Sequence, residues 1–144
     1  MSREGEGLLD AEDIAALARE ESARPVEELS KAYPKLREAL AAYRCVLLDK
    51  EGVLWAFRGR NRDYIIVKGV YCSCKDFLVR SVGRGRRKPC YHIVAVERAS
   101  REGSYVDLSG ITSTQVRIVV LEVLTRGFSS YLRRVLSGDR KLEG

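Results

Sequence analysis

Hydrophobic positions follow three different rhythms along the chain. Up to residue 43 they recur three and four apart, the spacing of one helix face. From Arg44 to Cys74 they form short runs rich in β-branched and aromatic residues, broken by Gly, Asp and Asn. From Ser113 onward they crowd most positions of a helix-length stretch. The first rhythm predicts a helix over "AEDIAALAREES", capped by Asp10, with Ile14, Leu17 and Ala18 on one side. A second helical stretch follows Pro25, and Val26, Leu29, Tyr33, Leu36, Leu40 and Tyr43 make its apolar seam. Pro34 interrupts that seam by removing an amide donor and crowding the preceding turn, which predicts a kink or two short helices. The seam reads as a core-facing stripe; the other reading is an intermolecular coiled coil, which normally takes at least about three heptads.

The second rhythm predicts three antiparallel strands, in "CVLLD", "VLWAFRG" and "DYIIVKGVYCSC". After them "KDFLVRSV" is long enough for two helical turns, "GRGRRKP" is a loop, and "YHIVAVERAS" is a helix. The third rhythm gives a helix over "STQVRIVVLEVLTRG", capped by Ser113 or Thr114 and ended by Gly127, then a shorter one in "SSYLRRVLSG". A helix apolar on nearly every side must be buried, inside this chain or against another. The expected fold class is α+β: a small antiparallel three-stranded sheet flanked by N- and C-terminal helices. Its expected segments are a helical 1–43, a central 44–104 and a helical 105–144.

Composition narrows the class. At 45% hydrophobic and 32% charged, the 144 residues read as globular. No apolar run approaches the ~20 residues of a membrane span. The opening "MSREGEGLLDAED" has no apolar signal core, so a cytoplasmic location is expected. Asn61 and Gln115 are the only side-chain amides while Arg and Glu are abundant, a composition that resembles heat-adapted proteins. The net charge of +6 is unevenly spread: −4 over residues 1–42, +8 over 43–104 and +2 over 105–144.

The positive segment also holds all four cysteines and the single histidine. Disulfides would need an oxidising compartment that no targeting signal indicates, although intracellular proteins of hyperthermophiles do use them. Metal binding is the better expectation. Zinc favours four soft or borderline ligands in a tetrahedron, and Cys72, Cys74, Cys90 and His92 offer three thiolates and one imidazole. Residues two apart in a strand project from one face, so Cys72 and Cys74 can reach one ion. Cys90 and His92 repeat that spacing at the start of a helix, whose N-terminal amides stabilise thiolate charge. Four protein ligands leave no open position, so the expected Zn2+ is single and structural. Cys45 stands apart and reads as a small buried hydrophobe.

The order strand, C-x-C, variable connection, C-x-H, helix resembles the SWIM zinc finger. Here it reads "CSCKDF" and "PCYHIVAV" over roughly residues 50–100, with Phe77 and Pro89 adding to the likeness. The resemblance implies a zinc-clasped ββα finger, a module that occurs in transposases, chromatin factors, ubiquitin ligases and recombination proteins. A small stand-alone form is similar to the SWIM subunit of Shu-type recombination complexes, which implies a partner such as a RecA-like recombinase paralogue.

Arg58, Arg60 and Arg62 in one turn and Arg80, Arg84, Arg86, Arg87 and Lys88 in the loop make a footprint for phosphates, DNA above all. Tyr64, Tyr71 and Tyr91 lie close enough in sequence to offer stacking surfaces. The competing reading is a solvated face that compensates the thiolates' charge. A protein partner or self-association through the apolar C-terminal helices is the other expected interaction. Catalysis is not expected: the histidine is committed to metal, and Asp49, Glu51 and Asp63 fall at turns where acids are ordinary.

Overall fold

The computed structural model describes residues 11–75, 77 and 89–137, with side chains from residue 15 onward. Among these residues the chain runs α1 (Ala11–Ser22), α2 (Val26–Ala32), α3 (Leu36–Ala41), β1 (Cys45–Leu47), β2 (Leu54–Arg58), β3 (Asp63–Val67), β4 (Tyr71–Cys72), α4 (Tyr91–Glu102), β5 (Val106–Asp107), α5 (Ser113–Arg126) and α6 (Ser130–Leu136). The seam that Pro34 interrupts is indeed two short helices, α2 and α3. Pro25 stands one position before α2, as its N-cap.

The α+β class holds, and the sheet is larger than the three strands the hydrophobic runs predict. Its order is β4-β3-β2-β1-β5. The long third run divides because the chain turns back at Gly69, whose φ of 74° suits a residue without Cβ. Val67 then pairs with Tyr71 and Ile66 with Cys72. At the far edge β5 joins β1 in parallel, Val46 opposite Val106. A parallel neighbour needs a crossover, and α4 lies between β4 and β5 in the chain, linking the two edges.

Both faces of the sheet are covered, following the period of two. Cys45, Leu47, Trp55, Phe57 and Ile66 point into one core with Ala18, Leu29, Leu36, Ile93 and Val96 from the first four helices. Val46, Leu48, Ala56 and Ile65 point the other way, onto Val119, Val123 and Leu132 of α5 and α6. The result is three layers, helices on either side of a buried sheet. Among the described residues no helix is long and apolar enough to cross a membrane.

One expected cap needs correction. Thr112, rather than Ser113 or Thr114, caps α5: its hydroxyl accepts from the Gln115 amide (3.1 Å) while the Gln115 side chain accepts from the Thr112 amide (2.8 Å). Asp10 lies outside the described residues, as do most of "KDFLVRSV" and all of "GRGRRK". Gly127 ends α5 in the left-handed conformation, as expected. Full burial of α5 is not found: Val119 and Val123 are buried, whereas Ile118, Leu121 and Leu124 are exposed.

Candidate metal centre

Three elements deliver the four metal-ligand candidates. Cys72 ends the edge strand β4, Cys74 follows two residues on, and Cys90 is the N-cap of α4, which places His92 in the first helical turn. Their ligand atoms all lie within 4.8 Å of one another. The three cysteines are buried as part of the first-face core, and His92 is partly exposed.

Local hydrogen bonds hold this loop-to-helix junction in place. The Tyr33 hydroxyl at the end of α2 donates to the Pro89 carbonyl (3.2 Å), one residue before Cys90. The Tyr91 hydroxyl donates to the Lys35 carbonyl (3.1 Å). Both anchors come from the stretch around Pro34, one the Tyr33 side chain and the other the Lys35 carbonyl, and they tie the α2–α3 break to the start of α4.

The donor set fits zinc. The buried Nδ1 of His92 has no hydrogen-bond partner among the described residues, an unsatisfied polar atom on one of the four candidate ligands. The Phe77 amide donates to the Cys74 sulfur (3.2 Å), a bond that favours thiolate. Hydrogen bonds from the neighbouring Cys72 and Cys90 thiols push the Cys74 thiol well below its ordinary range. Burial pushes Cys72 up. Packed together without a cation, such sulfurs compete for protons; one zinc ion would let all three ionise. Cys72, Cys74, Cys90 and His92 therefore fit one structural zinc ion. Cys45 sits outside the cluster in β1, and burial raises its thiol to about 12.

Residues 43–100 match the SWIM zinc finger. The SWIM match thus covers β1 through most of α4, which is the metal cluster together with four of the five strands of the sheet. The chain is also similar to an uncharacterized protein of Archaeoglobus fulgidus, 43% identical over 45 residues. That alignment covers 31% of this chain and 37% of the relative, so the chain spans well under half of the relative's length. No solved structure matches the chain.

The basic candidates separate. Arg58 is turned inward: its Nη2 donates to the carbonyls of Ala42 (3.1 Å) and Tyr43 (3.2 Å), closing the end of α3 where Tyr43 takes a φ of 54°. Arg60 and Arg62 are exposed on the β2–β3 turn, and among the described residues neither side chain has a hydrogen bond or ion pair. Arg80, Arg84, Arg86, Arg87 and Lys88 lie outside the described residues. Of the three tyrosines, Tyr64 and Tyr91 reach the rim of the metal centre, their rings 4.2 Å and 5.0 Å from that of His92. Tyr71 packs elsewhere, edge-on to Phe77.

One charged site escaped the sequence reading. Asp63, taken there for an ordinary turn acid, is buried at the start of β3, where Arg133 of α6 pairs with it and the Ser129 amide donates to its other oxygen (2.9 Å). Arg133 also donates to the Gly59 carbonyl (2.8 Å), which ties the last helix to the base of the basic turn. Arg133 lies 70 residues from Asp63, so no local pattern could have joined them.

Proposed function

We propose that this chain is a zinc-held accessory module that contacts nucleic acid, DNA in the first instance, through the basic turn beside its metal centre. The observation that carries the reading is the position of Arg60 and Arg62. Both are exposed, unpaired among the described residues, and border one cleft with Lys35 and Arg44. Phosphate contacts need cations that the fold has not already neutralised, and these meet that condition. Arg80, Arg84, Arg86, Arg87 and Lys88 extend the same charge in the sequence. Zinc has a structural role here, and the chain performs no catalysis of its own.

The setting we assign is homologous recombination or repair, on the likeness of small SWIM proteins to the SWIM subunit of Shu-type complexes. A RecA-like recombinase paralogue is then the kind of partner expected. A second reading, a protein-interaction module with structural zinc and no nucleic-acid contact, is favoured by one observation: the outward row Ile118, Leu121 and Leu124 on α5, continued by Phe128 just past its end.

Salt separates the two readings. For single strands each phosphate contact contributes about −0.7 to the slope of log affinity against log salt. The expected result is measurable DNA binding that weakens steeply with salt, with a slope reduced by about 0.7 for each arginine removed in Arg60→Ala and Arg62→Ala. Absent binding, or binding indifferent to salt and to both substitutions, would leave the protein-interaction reading.

A further inference from the structure

The cleft beside the metal centre is built from more than charge. It measures about 740 Å³ and lies between the β2–β3 turn, the first turn of α4 and the α2–α3 break. That size is within the ~300–1,000 Å³ of ordinary ligand sites. Its apolar wall consists of rings. Phe57 and Tyr64 are directly paired across β2 and β3. The His92 ring stands 4.7 Å from Phe57 and 4.2 Å from Tyr64, at 32° to the latter. Tyr91 completes the wall, edge-on to Phe57 at 5.5 Å. Phe57 is buried, whereas Tyr64 and Tyr91 are each partly open to the cleft.

The cleft's charge is one-sided. Arg44 is spent on Glu38, reached through both Nε (3.0 Å) and Nη2 (2.8 Å). That pair cancels and leaves Lys35, Arg60 and Arg62 as surplus positive charge. Asn61, one of the chain's two side-chain amides, sits between the arginines on the same turn and also faces the cleft. An amide can donate and accept at once, which suits the edge of a base. A wall of aromatic rings, a lone amide and three unpaired cations are the complement of one nucleotide: ring face, ring edge and phosphates.

We propose that this cleft receives one unpaired base of a single strand, stacked against the Tyr64 face of the ring wall, with the flanking phosphates on Arg60 and Arg62. The inference rests on the nucleic-acid reading above and sharpens it. A duplex keeps its base faces stacked on one another, and extruding one base costs a few kcal/mol. A single strand offers them directly. Because His92 is also a metal ligand, the zinc would hold the wall rigid.

The test uses the full chain loaded with zinc and three probes: fluorescein-labelled oligothymidylate, a labelled duplex of equal length, and free thymidine monophosphate. The expected result is single-strand binding about 10-fold or more tighter than duplex binding, and much tighter than the mononucleotide. Tyr64→Ala is expected to weaken single-strand binding roughly 5- to 100-fold, in the range for loss of one stacked base. Tyr64→Phe, which keeps the ring, should retain it. Unchanged zinc content verifies that each variant is folded, and Asn61→Ala, on the exposed turn, gives a second variant expected to weaken the single strand more than the duplex.

Equal binding to both strand forms, unaffected by Tyr64→Ala and Asn61→Ala, overturns the base pocket while leaving the phosphate-binding reading intact. Mononucleotide binding as tight as the oligomer's would make the cleft a small-molecule site and overturn it as well. No binding to any probe removes the nucleic-acid reading itself, and the pocket with it.

Discussion

Arg133 of α6 reaches the buried carboxylate of Asp63 at the start of β3 and forms an ion pair across the second face of the sheet. The Asp63 amide donates to the Gly127 carbonyl (2.9 Å), so backbone and side chain of one residue both fasten the C-terminal helices to the base of the β2–β3 turn. Removing one partner of a buried pair leaves an uncompensated charge. Arg133→Ala is therefore expected to destabilise the protein by about 3 kcal/mol, read as a lower urea midpoint at unchanged slope. A loss within ordinary surface scatter, about 0.5 kcal/mol, would show the pair to be dispensable.

Glu122 on α5 provides a second fastening with a pH signature. Burial raises its pKa, but hydrogen bonds from the Ser129 hydroxyl (2.7 Å) and the Tyr131 amide (3.1 Å) outweigh this and hold the carboxyl below its usual range. A depressed carboxyl contributes stability above the unfolded value, about 4.3, and loses it as pH falls through the folded one. Glu122→Gln should cost about 1 kcal/mol near neutrality, with the gap to the parent protein closing below about pH 4. Both proteins share the metal centre, so the difference between their melting curves, taken at pH values where both still hold zinc, isolates Glu122. No stability difference near neutrality would contradict the assignment.

Gly127 ends α5 at a φ of +78°, and a Cβ there would clash with the Arg62 guanidinium. That guanidinium is the far end of a flexible, exposed side chain and can move aside. The backbone cannot, and a left-handed residue with a Cβ costs roughly 1–2 kcal/mol. Gly127→Ala is expected to lower stability by that amount without loss of metal, as measured by thermal melting and metal content together.

The four cysteines should differ in reactivity. Burial raises the Cys45 thiol to about 12, so it should resist alkylation near neutral pH while the fold persists. The zinc-loaded protein should expose no reactive thiol, and chelation, which removes the metal and with it the fold, should expose all four. Modification of Cys45 first would mean that its strand opens more readily than the metal loop.

Much of this was legible because it is local. Pro34 dividing the seam, the twin C-x-C and C-x-H spacings and the glycine ending α5 each depend on residues within a few positions. The parts that escaped are non-local or very short. β5 has two residues and exists because β1 offers it an edge, and "SYVDLSG" carries no strand pattern of its own. Arg58 looks like its neighbours Arg60 and Arg62 in sequence, yet it ends β2 beneath the carbonyls of α3, and only the tertiary fold distinguishes a cap from a free cation. The apolar girth of α5 suggested burial on all sides, whereas the sheet covers one stripe, through Val119 and Val123.

The most direct measurement is zinc per chain by mass spectrometry on the purified protein, its Cys72→Ser and His92→Ala variants, and Cys45→Ser as the control. One zinc in the parent and in Cys45→Ser, with loss of metal and of the folded state in the other two, is the expected result. A metal-free parent that stays folded, with both cluster variants equally stable, would contradict the metal centre on which the whole account stands.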